Sequence, residues 1–416
     1  MTPDPQEPVG RLDLLRAQAI QNDQKIVLLI LDGLGDIRSS DQPRTALEQA
    51  RTPNFDELAR RSALGRITPA SAGITPGSGP GHLSLFGYDP LAPAFDIGRG
   101  VLEALGLGLE LHPHTIAARG NFASIDGDGK LTDRRAGRIP TEEGQRLCAR
   151  LAEALENIDT GDLSVRVAAG EGYRFVLLFD CSCALDPGLE DTDPQALGVP
   201  PKKLQPTRSD AAETASKIQP ILDELAQVLA DEPKANSFLL RGFSVPPQVP
   251  TFGDLYQLRS AAIAGYPLYR GVASVCGMQV IETGKRIADL IGTAQEHWND
   301  FDFFFLHVKQ TDQAGEDGDI ATKVQVIEEV DRELPRLLEL EPSVLAVTGD
   351  HSTPAPMKAH SWHPVPLLLH GPYCGIDGNE RFTEIHAIRG GVGDLPSADL
   401  MGLLLANAGR LAKYGA

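Results

Sequence analysis

The feature that most constrains this chain is a buried-strand signal that stops abruptly on a carboxylate. Lys25-Ile-Val-Leu-Leu-Ile-Leu31 is apolar at every position after the lysine and ends in Asp32-Gly33. A continuous apolar run, rather than an alternating one, fits a parallel strand covered on both faces. A carboxylate at the end of such a strand is costly to bury unless it is paired or metal-bound. The pattern returns twice. Ser343–Thr348 runs into Gly349-Asp350-His351, and Phe301–His307 runs into the polar stretch from Lys309 to Asp312. With the strand Ser260–Ala264 and helix patterns at Asn54–Arg61, Leu268–Met278, Ala321–Leu338 and Ser397–Leu411, the alternation predicts an α/β domain. In open α/β sheets, ligands bind at the carboxyl ends of the strands.

Between about His112 and Val249 the character changes. Short alternating segments such as Ile116–Asn121 and Arg174–Phe179 are joined by acidic, Pro-rich loops, and one helix pattern spans Ala211–Leu229. This predicts an α+β domain at 112–250, inserted into a discontinuous catalytic domain of 24–111 and 251–416. Both fit a chain of 416 residues.

The strand-end residues supply the chemistry. Asp32, Asp350, His351 and His360 offer carboxylate and imidazole donors. Asp312-Gln-Ala-Gly-Glu316 places two more carboxylates in what reads as a Gly-containing turn. Such donors suit zinc or manganese. Ser78 lies in Thr75-Pro-Gly-Ser-Gly-Pro-Gly-His82, a loop feeding a helix, where backbone N–H groups can receive a phosphoryl oxygen. A serine hydroxyl becomes a nucleophile once a metal or base stabilises its alkoxide. His82 is a candidate phosphate contact.

The net charge of −19 argues against a nucleic-acid or anionic-membrane surface. An anionic substrate then needs local arginines. The set Arg119, Arg134, Arg135, Arg138, Arg174, Arg241 and Arg270 provides them, with Arg135, Arg174 and Arg241 foremost. Five cysteines at irregular spacing, Cys181-Ser-Cys183 among them, read as reduced thiols. The first residues carry no apolar signal segment, and no apolar run approaches the roughly 20 residues that span a bilayer. The expectation is a cytoplasmic protein. With no long heptad evident, it is expected to be a monomer.

Taken in order, these motifs resemble the alkaline phosphatase superfamily and, more narrowly, the archaeal-type cofactor-independent phosphoglycerate mutases. The carriers include Leu31-Asp-Gly-Leu-Gly35, Thr75-Pro-Gly-Ser78, Gly98-Arg-Gly100, Leu239-Leu-Arg-Gly242, Val347-Thr-Gly-Asp-His-Ser-Thr-Pro354 and His360-Ser361. The resemblance implies a three-layer phosphatase-like catalytic domain and two divalent metal ions. Asp32, Ser78, Asp350 and His351 would hold one ion; Asp312, Glu316 and His360 would hold the other. It further implies that Ser78 takes the phosphoryl group from 3-phosphoglycerate and returns it as 2-phosphoglycerate, a step of glycolysis and gluconeogenesis. Two positions depart from the family pattern. Gly79-Pro80-Gly81 replaces a segment that carries an acidic residue, and Glu316 stands where many members have His. A carboxylate at 316 shifts the expected metal toward manganese, with zinc, cobalt and magnesium as alternatives. A phosphatase or phosphonate hydrolase, and a metabolite-binding regulator that has lost catalysis, are the competing readings.

Overall fold

The computed structural model describes residues 10–92, 97–183, 185–247 and 249–415. The first residues, read above as carrying no apolar signal segment, fall largely at 1–9, outside these residues. Two compact units emerge, Met1–Asp96 with Val249–Ala416, and Ile97–Gln248. The second unit begins earlier than the expected residue 112, because the helix Arg99–Gly106 packs on strands of that unit.

The strands are β1 (Ile26–Leu31), β2 (Ala63–Thr68), β3 (Ile116–Ile125), β4 (Leu131–Asp133), β5 (Leu163–Ala169), β6 (Arg174–Cys181) and β7 (Ser237–Ser244). Then follow β8 (Ser260–Ala264), β9 (Gln279–Ile281), β10 (Phe303–Val308), β11 (Val344–Thr348), β12 (Val365–His370) and β13 (Gly393–Pro396). In the first unit, eight strands lie in the order β13-β2-β12-β11-β1-β10-β8-β9. The sheet is largely parallel, and only β12 runs antiparallel to its neighbours. Every residue of β1, β8, β10 and β11 is buried, so helices cover both faces of the sheet's centre. The central strand β1 pairs β10 on one side and β11 on the other. The three segments that leave their carboxyl ends therefore share one edge of the sheet.

Two local expectations are corrected here. The stretch around Asp312 and Glu316 is a helix, Gln310–Asp317, closed by Gly318 in the left-handed region. Residues four apart on a helix share a face, so both carboxylates point the same way. The helix that the Gly/Ser/Pro stretch feeds opens earlier than His82, with Ser78 itself as the first residue of Ser78–Leu85.

In the second unit, β3 sits between β6 and β7, β5 lies beyond β6, and β4 pairs the end of β3 at Ser124 and Ile125, all antiparallel. The amphipathic helices Thr141–Leu155 and Ala212–Leu229 bury Leu147, Leu151, Ile218 and Leu225 in one core with Phe122, Phe175 and Leu177 of the sheet. Cys181 and Cys183 are joined by a disulfide, which corrects the reading of all five cysteines as thiols. The chain turns at the end of β6 and brings their Cα atoms to 5.0 Å. Cys148, Cys276 and Cys374 are free. Among the described residues, no helix is long and apolar enough to cross a membrane.

Candidate metal and nucleophile site

The end of β1 delivers Asp32, the end of β11 delivers Asp350 and His351, and the helix after β10 delivers Asp312 and Glu316. His360 arrives by a different route. Bridges from Ser352 to Leu34, Gly35 and Ser361 stitch the β1 and β11 loops to the segment before β12. Gly33 makes that approach possible. Its φ is +62°, and a Cβ there would fall 2.4 Å from Thr353 Oγ1.

An inner group forms around His351, whose Nε2 lies 3.3 Å from Asp32 Oδ1 and 3.3 Å from Asp350 Oδ2. Ser78 Oγ is 3.3 Å from the same nitrogen. The outer group forms around His360, whose Nε2 lies 3.5 Å from Asp312 Oδ1 and 3.6 Å from Glu316 Oε1. The two imidazoles stack at 3.7 Å between ring centroids. Thus one cluster gathers Asp32, Ser78, Asp312, Glu316, Asp350, His351 and His360.

The hydrogen-bond bookkeeping tests whether metal ions fit. Thr353 Oγ1 has one proton, which it donates to Asp312 Oδ1 at 2.5 Å. It must therefore accept from His351 Nδ1, 3.0 Å away, which leaves Nε2 with a lone pair. That lone pair faces Asp32 Oδ1 and Asp350 Oδ2, two buried oxygens without hydrogen-bond partners. Likewise His360 Nδ1 donates to Pro76 O at 3.1 Å and turns Nε2 to the carboxylates. Lone pairs converging in a buried space are the donor set of a cation, and fixing the far ring nitrogen is how ligand imidazoles are oriented. Asp32, Asp350 and His351 form one group able to hold a metal, and Asp312, His351 and His360 another.

Surrounding groups keep the carboxylates ionised. Burial favours the neutral acid at Asp32, but the Lys309 ammonium and the His307 ring outweigh it and hold the carboxyl well below its usual range. Asp350 is lowered too, with burial and Asp32 opposing and the neighbouring His82 favouring the carboxylate. Lys309 Nζ bridges the two groups, 3.2 Å from Asp32 Oδ2 and in contact with Asp312. His82, expected at the phosphate, is fully buried behind Asp350. Its Nδ1 lies 3.2 Å from Asp350 Oδ2 and 2.8 Å from Ser78 O. Gly81 explains part of the altered Gly79-Pro80-Gly81 segment. A Cβ there would meet Asp350 O at 2.5 Å, so glycine lets the nucleophile's helix lie against that backbone.

Sequence reasoning missed Lys309, His307, Tyr269 and Thr353 as members of the site. Lys309 and His307 were visible as polar residues ending an apolar run. Tyr269, stacked on His307 at 3.7 Å between ring centroids, and Thr353 gave no comparable signal.

All of the named arginines except Arg270, which sits on a helix of the first unit and pairs with Glu282, belong to the other unit. Arg119 on β3 pairs Arg241 on β7, and Asn121 on β3 pairs Arg174 on β6. Directly opposed residues, and residues two apart on one strand, share a sheet face. Arg119, Arg174 and Arg241 therefore line one face. Arg174 Nε and Asn121 Oδ1 are buried there without partners. Burial and the neighbouring Arg174 and Arg99 outweigh Glu103 and lower the Arg119 pKa. Arg241 also meets Asp191 at 3.3 Å, and Arg135 is exposed.

A largely parallel α/β sheet, with buried carboxylates and imidazoles gathered at strand ends beside a helix-start serine, defines a class of α/β protein whose strand ends are able to hold metal. Comparisons with known proteins narrow it. Residues 59–235 match the family model described as 2,3-bisphosphoglycerate-independent phosphoglycerate mutase. A probable enzyme of that name from Thermotoga neapolitana is 49% identical over 395 residues, covering 95% of this chain and 96% of that protein. Its counterpart from Aquifex aeolicus is 47% identical and covers 97% and 100%. Among solved structures, the PH0037 protein of Pyrococcus horikoshii superposes with a TM-score of 0.79 at 30% identity, covering 95% of this chain and 100% of that one. The cofactor-independent phosphoglycerate mutase of Thermoplasma acidophilum gives 0.70 at 30% identity, over 92% and 100%. The chain belongs to the 2,3-bisphosphoglycerate-independent phosphoglycerate mutase family and is an enzyme.

Proposed function

We propose that this enzyme interconverts 3-phosphoglycerate and 2-phosphoglycerate through a phosphoserine at Ser78. The observation that carries the reading is Ser78 Oγ, at the start of a helix and 3.3 Å from His351 Nε2 within the carboxylate cluster. Asp32, Asp350 and His351 would hold one divalent ion against Ser78, and Asp312, Glu316 and His360 a second. Bound there, the ions would lower the pKa of the serine hydroxyl and neutralise the transferring phosphoryl group. Manganese suits this oxygen-rich set; zinc, cobalt and magnesium are the alternatives.

The chain's own groups supply the rest. The N-terminus of Ser78–Leu85 offers the Ser78 and Gly79 N–H groups to phosphoryl oxygens, while Pro80 has none to give. The Lys309 ammonium adds positive charge beside both carboxylate groups. In the first half-reaction the Oγ–P bond forms, the P–O3 bond breaks, and the serine proton goes to the departing oxygen. In the second, the glycerate 2-hydroxyl attacks, O2–P forms, Oγ–P breaks, and its proton returns to Ser78. Between these steps the glycerate must turn over without leaving, and water must be kept from the phosphoserine. Arg119, Arg174 and Arg241 are the cations this reading assigns to its carboxylate. A cytoplasmic place in glycolysis and gluconeogenesis follows from that reaction.

Incubation with 3-phosphoglycerate across manganese, zinc, cobalt and magnesium tests the reading. The expected product is 2-phosphoglycerate with little free phosphate; phosphate release without isomerisation would mark a hydrolase instead. Ser78→Ala should lower the rate by roughly 10³-fold or more with the fold intact. An active Ser78→Ala enzyme refutes the nucleophile.

A further inference from the structure

The sheet brings three ligand-bearing segments to one edge, yet backbone ladders do not tie them together beyond the bridges at Ser352. Buried side chains add to them: Thr311 Oγ1 donates to Asp32 O, Asp350 Oδ1 accepts from Gly33 N–H, and one lysine reaches two of the segments at once. Lys323 is fully buried, and its ammonium donates to Gly33 O at 2.9 Å, Gly35 O at 3.2 Å and Thr353 O at 2.9 Å. Those bonds use all three of its N–H donors. Among the described residues no carboxylate lies within ion-pair distance of it. It is a cation solvated by backbone carbonyls alone. Its position is unfavourable on two counts. Burial pulls the ammonium pKa down against the distant Asp36 and Glu384. It also sits in the opening turns of the helix Ile320–Leu338, where the macrodipole favours negative charge. A neutral apolar residue would meet neither penalty, so packing alone does not account for a lysine here.

What Lys323 touches supplies an account. Gly33 and Gly35 flank the turn that follows Asp32. Thr353 follows Asp350-His351, and its hydroxyl fixes both Asp312 and the His351 tautomer. Lys323 itself stands on the helix that follows the one carrying Asp312 and Glu316. We propose that Lys323 is a positioning residue that, with Thr353, locks the three ligand-bearing segments in the register required for binding divalent metal. This inference rests on the metal-site reading above. Lys323 touches neither metal nor substrate, and its effect passes through the carbonyls of residues 33, 35 and 353.

The test measures Mn2+ binding to the metal-stripped protein by calorimetry, alongside denaturant unfolding of the same samples. Lys323→Met keeps the length of the side chain and removes the ammonium. The expected result is a folded protein whose Mn2+ affinity falls at both sites by about tenfold or more, the scale of outer-shell losses at metal centres. Thr353→Val leaves the Lys323 bonds to backbone in place but cuts the link to Asp312 and His351. It should weaken Mn2+ binding in the same way, and Thr353→Ser should restore it. Unchanged Mn2+ affinity in Lys323→Met, with stability alone reduced, would make Lys323 a core strut and overturn the proposal. Should Lys323→Met fail to fold, the Thr353 pair decides, and unchanged affinity in Thr353→Val overturns it. The two readings fail separately. A wild-type protein that takes up no divalent ion sinks the metal site itself, whereas wild-type binding matched by both variants sinks only the role of Lys323.

Discussion

The inner and outer halves of the cluster use the same donor chemistry in opposite surroundings. Asp32, Asp350 and His351 are fully buried, whereas in the outer half only Asp312 is; the Glu316 side chain is 54% exposed and His360 is partly exposed. The inner half sits on the ends of two adjacent strands that the core holds rigid. The outer half draws on a helix and a connecting segment. Rigid strand ends give a preorganised pocket in which each oxygen is irreplaceable, because nothing nearby can move to take its place. A solvent-facing ligand can be replaced by water or another carboxylate. This is the physical sense in which the chain can carry Glu at 316, while the positions of the inner half leave no such latitude.

The largest break in that contrast comes from the inner side. Asp350→Asn keeps the shape but removes charge, and should lower Mn2+ affinity by more than the roughly 10- to 100-fold typical of losing an outer-shell partner. Calorimetry on the metal-stripped protein reads this directly, and a loss confined to one of two binding events would place Asp350 in a single site. Glu316→Gln should cost only about tenfold in affinity of the weaker event. If Glu316→Gln matches Asp350→Asn, the inner and outer halves are equivalent and the contrast fails. Glu316→His should sharpen it by moving the preference from manganese toward zinc, seen as a reversed order of the two metals in activation.

The smallest expected effect lies away from the ligands. Burial pushes the Glu384 carboxyl up to about 7, although its bond from Thr45 opposes the shift. The folded state therefore binds a proton that the unfolded state has already released. Stability is greatest below the unfolded carboxyl range and declines as pH rises from about 4.5 to 7. Glu384→Gln should flatten that decline and leave the protein about 2 kcal/mol more stable at pH 8. Unfolding in denaturant across that range measures it. A decline that persists in Glu384→Gln assigns it to other groups, the inner carboxylates among them.

How much was legible beforehand follows from particular residues. Asp32 and Asp350 could be read because an apolar run that ends on a carboxylate is a local signal, and buried parallel strands write it plainly. The Asp312–Glu316 segment was misread as a turn because Gly315 and Gly318, with Asp312 and Asp317, have poor helix propensity. The helix forms because its face packs beneath β1 and the helix Ile320–Leu338. Thr353 and Lys323 could not be read at all. A threonine or lysine declares a role only through the partners that folding brings to it, and here those partners lie up to 290 residues away in sequence. The disulfide between Cys181 and Cys183 likewise depends on a turn after β6 that spacing alone did not disclose.

The sequence by itself determined that carboxylates and imidazoles would stand at the ends of buried strands in an α/β domain, since hydrophobic periodicity is written residue by residue. The tertiary structure decided which ends meet. Only the pairing of β1 with β10 on one side and β11 on the other brings Asp32, Asp312 and Asp350 together. That pairing is a property of the whole sheet, settled by packing between segments far apart in the chain.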